Sequence, residues 1–562
     1  MPVSLGRTRR TRIAVIGATA VALLVAGCGG SGGGGGSTPP DTLVVPGQSG
    51  DQIRNFNPYS PTAVEGPGMI FESLFYFNLA GQGDPQEVLG TGFSWNEDGT
   101  ELTITLREGV TWSDGEDFTA DDVKFTFDLV ASGGVPNTIG FTGTTEVVDP
   151  AQVVVRFEEP SYMDAPQLLG KTWIVPEHLW STMEDPSRDP VADPVGTGPY
   201  TLGDFKPQAF TLTANPTYWD GEPAVANVRY DSLSGNQATT DALAAGEVDM
   251  FSGPVPDIAN VEENYPGYQV ITVPMNQMVL DTCANADLGC EGPQTDPAVR
   301  RALYYAMDRD QLNQLAFQNT ASAVSPGFAL PERDAAYVSG ALEEPTAPMS
   351  ADLDRAERIL TDAGYTRGGD GIHQRDGERL ALTVTVVGGW TDYITALGVL
   401  TEQYAQAGIE LTVSQSSWNE MSDARARGDY ELMIDSLYPG PAPDPYYIYS
   451  YFFGSQNTAP VGEPSDTNYA RYSDPEVDEA IEALSRLNPE DTQARLPHYD
   501  TIQARIEQDM PYIPILTAGT STEFHAGKFS GWPTADDLYA FPATWSRPDQ
   551  AAIYKRLEPV AE

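Results

Sequence analysis

Few residue types in this chain are spaced for covalent chemistry. Of its 562 residues only four are histidines, His178, His373, His498 and His525, and they stand far apart with no ligand spacing. No HExxH or GxxxxGKS/T pattern occurs, and outside the Gly/Ser tract after Cys28 there is no GxSxG, which removes the sequence signals for zinc proteolysis, a phosphate loop and a nucleophile elbow. Gly196-Thr197-Gly198 lacks the rest of the dinucleotide fingerprint. The acidic stretch from Asp114 to Asp122 suggests calcium but breaks the EF-hand spacing. Asp121-Asp122 and Asp536-Asp537 are carboxylate pairs in a chain with 80 acidic residues, and nothing sets them across a substrate as acid and base. The reading is of a protein that binds and does not convert: not an enzyme, with no cofactor and no metal.

The three cysteines carry more. Arg7, Arg9, Arg10 and Arg12 precede an apolar run over residues 13 to 26, and Val25-Ala26-Gly27-Cys28 has the pattern of a bacterial lipobox. A basic flank, a short apolar core and small residues before a cleavage point predict a secretory signal over 1–27, too short for a membrane span. Cys28 is then the lipidated first residue of an extracytoplasmic protein, anchored to the outer face of the cell membrane. The Gly/Ser tract over 28–40 is its tether, since such residues bury too little surface to order. Cys283 and Cys290 bracket a polar loop. Outside the cytoplasm a local disulfide is the natural reading, with a metal pair the alternative and no histidine nearby to favour it.

Charge narrows the partners. The formal net charge is −49, and removing the four signal arginines makes the remainder more acidic still. Phosphates would repel such a chain, so nucleic acid is excluded as a partner, and adhesion to an anionic membrane is disfavoured. The acidity itself reads as solubility or salt tolerance. No later run approaches the roughly 20 apolar residues of a membrane span.

The elements that must position any site alternate along the chain. Leu102, Ile104 and Leu106 alternate with Thr103, Thr105 and Arg107, which predicts a strand ending in the Asp114-Gly115 turn. Thr119 reads as the cap of a helix opening with Asp121 and Asp122. Further helices are expected over 238–245, 298–307, 351–363 and 393–407, and strands over 153–157, 248–251, 380–387, 409–413 and 429–434. This alternation predicts α/β domains with largely parallel sheets.

With those motifs in view, the chain resembles the dipeptide/oligopeptide-binding family of extracytoplasmic solute-binding proteins that serve ABC importers, which also contains oligosaccharide and nickel binders. The resemblance runs over roughly 42 to 540. It is carried by Ser94-Trp95, Asp98-Gly99, Leu106 to Gly115 and Phe118-Thr-Ala-Asp-Asp-Val123 with Phe125. Further matches are Val195-Gly-Thr-Gly-Pro-Tyr200, Asn215-Pro216 with Tyr218-Trp219, Gly246-Glu-Val-Asp249, and Asp296 to Leu303 with Ala306 to Arg309. Arg107, Asp114, Asp121, Asp122, Arg300 and Arg301 read as scaffold within them.

The resemblance implies a periplasmic-binding-protein-like class II fold, with two lobes around a ligand cleft, an additional domain and discontinuous domains. Lobe I is expected over 41–79, 194–271 and 521–562, the additional domain over 80–193, and lobe II over 272–520. It also implies a monomeric receptor that closes on a peptide and delivers it to an ABC permease and its ATPase subunits. An oligosaccharide receptor is the alternative within the family; a secreted hydrolase or a surface sensor or adhesion module are alternatives outside it.

Trp418 and Arg425 stand seven apart on an expected helix and so share a face. In peptide-binding relatives a Trp, then an Asp that pairs with the peptide ammonium, precede an acid-Pro pair. Anchored on Asp444-Pro445, Tyr438 takes the aromatic position and Pro441, or Gly440 with the one-residue gap placed differently, takes that of the Asp. Asp435 and Asp444 are the carboxylates that could substitute. The cleft candidates are Trp418, Tyr438, Trp390, Asn276 and Gln277, with Arg425 as a carboxylate partner; core packing is the competing reading for the aromatic residues, and a salt bridge for Arg425.

Overall fold

The computed structural model describes residues 41–560 apart from 48–49, 61, 82, 138–139, 234 and 466. The signal, Cys28 and the tether lie outside the described residues. Among those described, no helix is long and apolar enough to cross a membrane, and no group of three or more His, Cys, Asp or Glu side chains is arranged to hold a metal.

Three sheets carry the molecule. The first sets Thr42–Gly47 parallel to Asn227–Ser232, followed by Ala209–Ala214 and Tyr200–Lys206. The second is antiparallel, in the order Gly90–Trp95, Glu101–Leu106, Gln152–Arg156, Thr144–Asp149. The helix Ala120–Ala131 packs on it, opened by the expected Thr119 cap as a reciprocal box with Asp122. The third runs Met250–Ser252, Tyr512–Phe524, Gln269–Thr282, Leu432–Leu437, Ala381–Val387, Glu410–Ser416. The expectation of largely parallel sheets is corrected here: Thr42–Gly47 with Asn227–Ser232, and Ala381–Val387 with each of its neighbours, are parallel, while the other strand pairings are antiparallel. Hydrophobic alternation marks a strand but not its direction, and short turns such as that at 207–208 fold neighbours back as hairpins.

The core divides where two long strands cross it. One apolar cluster runs from Leu43 to Leu557 and includes Ile104 and Val153 of the antiparallel sheet, so the additional domain shares a core with the first lobe. A second gathers Leu280, Leu382, Leu400, Ile434 and Ile515. Gln269–Thr282 and Tyr512–Phe524 belong to both: Ile271, Val273, Met275 and Phe524 pack in the first, Met278, Leu280, Ile513 and Leu516 in the second. Their pairing slips register between Pro274 and Asn276, at the crossing. A bulge there bends and twists the long ladder that joins the two cores, which suits a hinge.

The first lobe is closed by distant segments. Asp249, buried, accepts from the Val44 amide and from Lys528 Nζ, both at 2.7 Å. Glu72 accepts from Tyr218 Oη at 2.8 Å and Trp219 Nε1 at 3.0 Å. Arg107 donates to the Val88 carbonyl at 2.7 Å and lies over the Trp219 ring. In the second lobe, Arg300 donates to the carbonyls of Gln294, Asp509 and Met510. These motif residues are scaffold.

Candidate functional site: a cavity at the hinge

A cavity of about 220 Å³ opens on one face of the two long strands. Asn276, Met278 and residues 518 to 521 form its floor. One wall comes from Ser252, Gly253, Pro254, Ile258 and Trp545, the other from Ala316, Phe317, Gln318, Thr320, Asp392, Tyr393 and Ser436. Gly519 is required by close approach: a Cβ there would stand 1.9 Å from the Thr320 carbonyl oxygen. Tyr393 Oη and Ser436 Oγ share a hydrogen bond of 2.6 Å. Asp392 sits in the first turn of the helix Thr391–Gln406. Burial lifts its carboxyl above the usual range, against the backbone N–H groups of that turn.

The walls are clasped. Gln318 Nε2 donates to the Val255 carbonyl at 3.1 Å while its Oε1 accepts from the Ile258 amide at 3.2 Å. Gln318 and Asn319 hold φ of +51° and +60°, a region that non-glycine residues rarely adopt. On the far side, Tyr447 Oη donates to the Met163 carbonyl at 2.9 Å and Arg486 pairs with Glu159 at 2.6 Å. The second lobe thus touches the first lobe on one flank and the additional domain on the other.

The expected residues distribute unevenly around this cavity. Asn276 lines it. Gln277 does not, a correction: it is 1% exposed and its Nε2 donates to the Phe328 carbonyl at 2.8 Å, because successive strand residues point to opposite faces. Trp390 packs edge-on against Tyr393 at 5.5 Å and lies 5.7 Å from Trp418, so this pair backs the wall and does not form it. Trp418 and Tyr438 remain partly exposed.

Arg425 does share a face with Trp418, its guanidinium 5.6 Å from that ring and 4.3 Å from Tyr469. It is ion-paired with Asp435, which commits both charges to each other. Burial raises the Asp435 carboxyl and Arg425 opposes that rise. Asp281, buried beside them, is pushed well up by burial and by Asp435. Asp444 is also spent: Arg495 donates to it at 2.7 Å and Tyr499 at 2.6 Å, in a buried trio. Neither Asp435 nor Asp444 is free to replace the carboxylate absent at Pro441. Gly440 fixes that bend, with φ +105° and a would-be Cβ 2.3 Å from Tyr447 Cβ. Cys283 and Cys290 bring their Cα atoms to 5.5 Å, within the range a disulfide spans. Asp392, Gln318 and Trp545 carried no signal in the sequence, and Tyr393 entered only as the first residue of the helix expected over 393–407.

A family model described as "Bacterial extracellular solute-binding proteins, family 5 Middle" matches residues 84–459. The chain belongs to this family. Protein XP55 of Streptomyces lividans is 30% identical over 427 residues, 74% of this chain and 73% of the relative. The glutathione-binding protein GsiB of Salmonella typhi is 26% identical over 475 residues, 81% of this chain and 85% of the relative.

The fold of a periplasmic oligopeptide-binding protein of Thermotoga maritima superposes with a TM-score of 0.84 at 23% identity, covering 93% of this chain and 99% of that one. A mannohexaose-bound structure of the Thermotoga protein gives 0.80 at 22% identity, covering 93% of this chain and all of that one. Family 5 members are extracytoplasmic solute-binding proteins of ABC importers that take peptides or related ligands.

Proposed function

We propose that this family 5 protein is a lipid-anchored receptor that captures short peptides by cleft closure and hands them to an ABC permease. The observation that carries the reading is the cavity itself: both lobes wall it, the two strands that join the lobes floor it, and clasps close it at the rim. Amides, hydroxyls and aromatic rings converge there, the usual make-up of a small-molecule site. Closure around a solute gives the permease a surface that differs between loaded and empty receptor. We place the lobe limits at 271–272 and 520–521, near the register slip of the two long strands. Lipid on Cys28 would hold the receptor at the membrane, with residues 28–40 giving reach. The Cys283–Cys290 loop lies apart from the cavity lining and would serve stability.

Sugars are the second reading, favoured by Trp545, Phe317 and Tyr393 around uncharged amides and hydroxyls. A thermal-shift screen of di- to pentapeptides beside oligosaccharides separates the two, since a ligand that binds only the folded state raises Tm. Stabilisation by peptides supports the first reading; stabilisation by sugars alone replaces it with the second.

A further inference from the structure

We propose that Asp392 anchors a ligand ammonium, so that the cavity accepts solutes bearing a protonated amine and turns away those whose only charge is a carboxylate. This rests on the receptor reading above and adds the charge of the cargo to it. The lining contains no Lys, Arg or His, and Asp392 is its one acidic residue. Among the described residues Asp392 makes no ion pair, and no charged side chain contributes to its shifted ionisation. Arg425, the basic residue offered for the cleft, is taken by Asp435.

An anion entering this space would meet a carboxylate and no counter-charge, and an unpaired buried charge is costly. An ammonium would instead form a charge-assisted hydrogen bond to Asp392 and gain from the faces of Phe317 and Trp545. Burial already disfavours the ionised carboxyl, so a cation that pairs with it relieves that cost. The Tyr393–Ser436 hydroxyl pair and the Asn276 amide then take uncharged polar groups of the same solute. The arrangement gives the ammonium a partner at a place other than Pro441.

The test is calorimetric titration of the full chain with matched probes: trialanine amide against N-acetyl-trialanine amide and N-acetyl-trialanine, and chitotriose against its fully N-acetylated form. The expected result is that an amine-bearing probe binds at least tenfold tighter than its acetylated partner. Asp392→Asn should reduce that preference below threefold without lowering Tm, and Asp392→Glu should retain it. Binding without preference for the amine, a preference for N-acetyl-trialanine, or an Asp392→Asn variant that keeps the preference overturns the anchor and leaves the receptor reading standing. Binding by none of the probes overturns the receptor reading for peptides and sugars, and the anchor with it.

Discussion

Trp545 and Asp444 show how differently two polar-site candidates behave once their neighbours are known. Trp545 is 51% exposed, lines the cavity and leans edge-on against Phe541 at 5.4 Å. Its ring therefore contributes little to the core and much to whatever enters. Trp545→Ala is expected to weaken ligand binding about tenfold, the scale of one lost aromatic contact with its area, while Tm moves by no more than about 1 °C; a titration and a melt decide it. Asp444 is the reverse case. Its removal strands Arg495, fully buried, beside Tyr499, and an uncompensated buried charge costs about 3–5 kcal/mol. Asp444→Ala should lower the unfolding free energy obtained from urea titration by that much, and an unchanged urea midpoint would refute the buried trio. Neither outcome was legible in the sequence. Trp545 stands in an irregular segment without periodicity, and the partner of Asp444 lies 51 residues away. Asn276 and Gln277 were both offered as cleft amides on residue type alone; Asn276 lines the cavity, and Gln277 misses it by one step of the pleat.

Elements were more readable, because caps and alternation are local. The boxes at Thr119 and Ser417, the helix carrying Trp418 and Arg425, and the strand containing Leu382, Val384 and Val386 all follow from residues within a few positions. Strand direction, the register slip at Pro274 and the Gln318 clasp depend on segments far apart in sequence and were not readable.

One strand also carries a titratable group that its pattern conceals. Glu523 pairs in register with Phe251 and Val270 and is fully buried, with no side-chain partner for its carboxyl oxygens. Burial pushes its pKa to about 8. The folded state thus holds a proton that the unfolded state releases at the ordinary carboxylate pKa, and stability falls as pH rises through the window from about 4.5 to 8. Above that window Glu523→Gln should raise Tm by about 2 °C or more and flatten the pH dependence. Melting curves at pH 5 and pH 8.5 that shift in parallel for both proteins would count against it.

At the scale of the whole molecule, capture requires that the closed state be only slightly favoured, so that cargo and not the empty protein decides the equilibrium. The contacts available for closure combine hydrogen bonds with a small apolar cluster of Met163, Phe77, Ala442 and Tyr447. Gln318 bonds across the rim to Val255 and Ile258, and Tyr447 to Met163. Each such bond is worth about 1 kcal/mol net. Removing all three with Gln318→Ala and Tyr447→Phe should therefore cost closure about 3 kcal/mol, near a hundredfold in its equilibrium constant. Because apparent affinity scales with the population of the binding-competent state, ligand binding should weaken between about tenfold and a hundredfold. The loss should appear mainly in the dissociation rate, since the clasps form after encounter. Small-angle scattering of the unliganded variant should show a larger radius of gyration than the parent, and saturating ligand should bring the two together. The hinge strands are untouched by these substitutions, so the lobes still fold and pivot as before. Unchanged affinity with an unchanged radius would mean that the hinge ladder alone holds the lobes, and that the rim contacts follow closure without contributing to it.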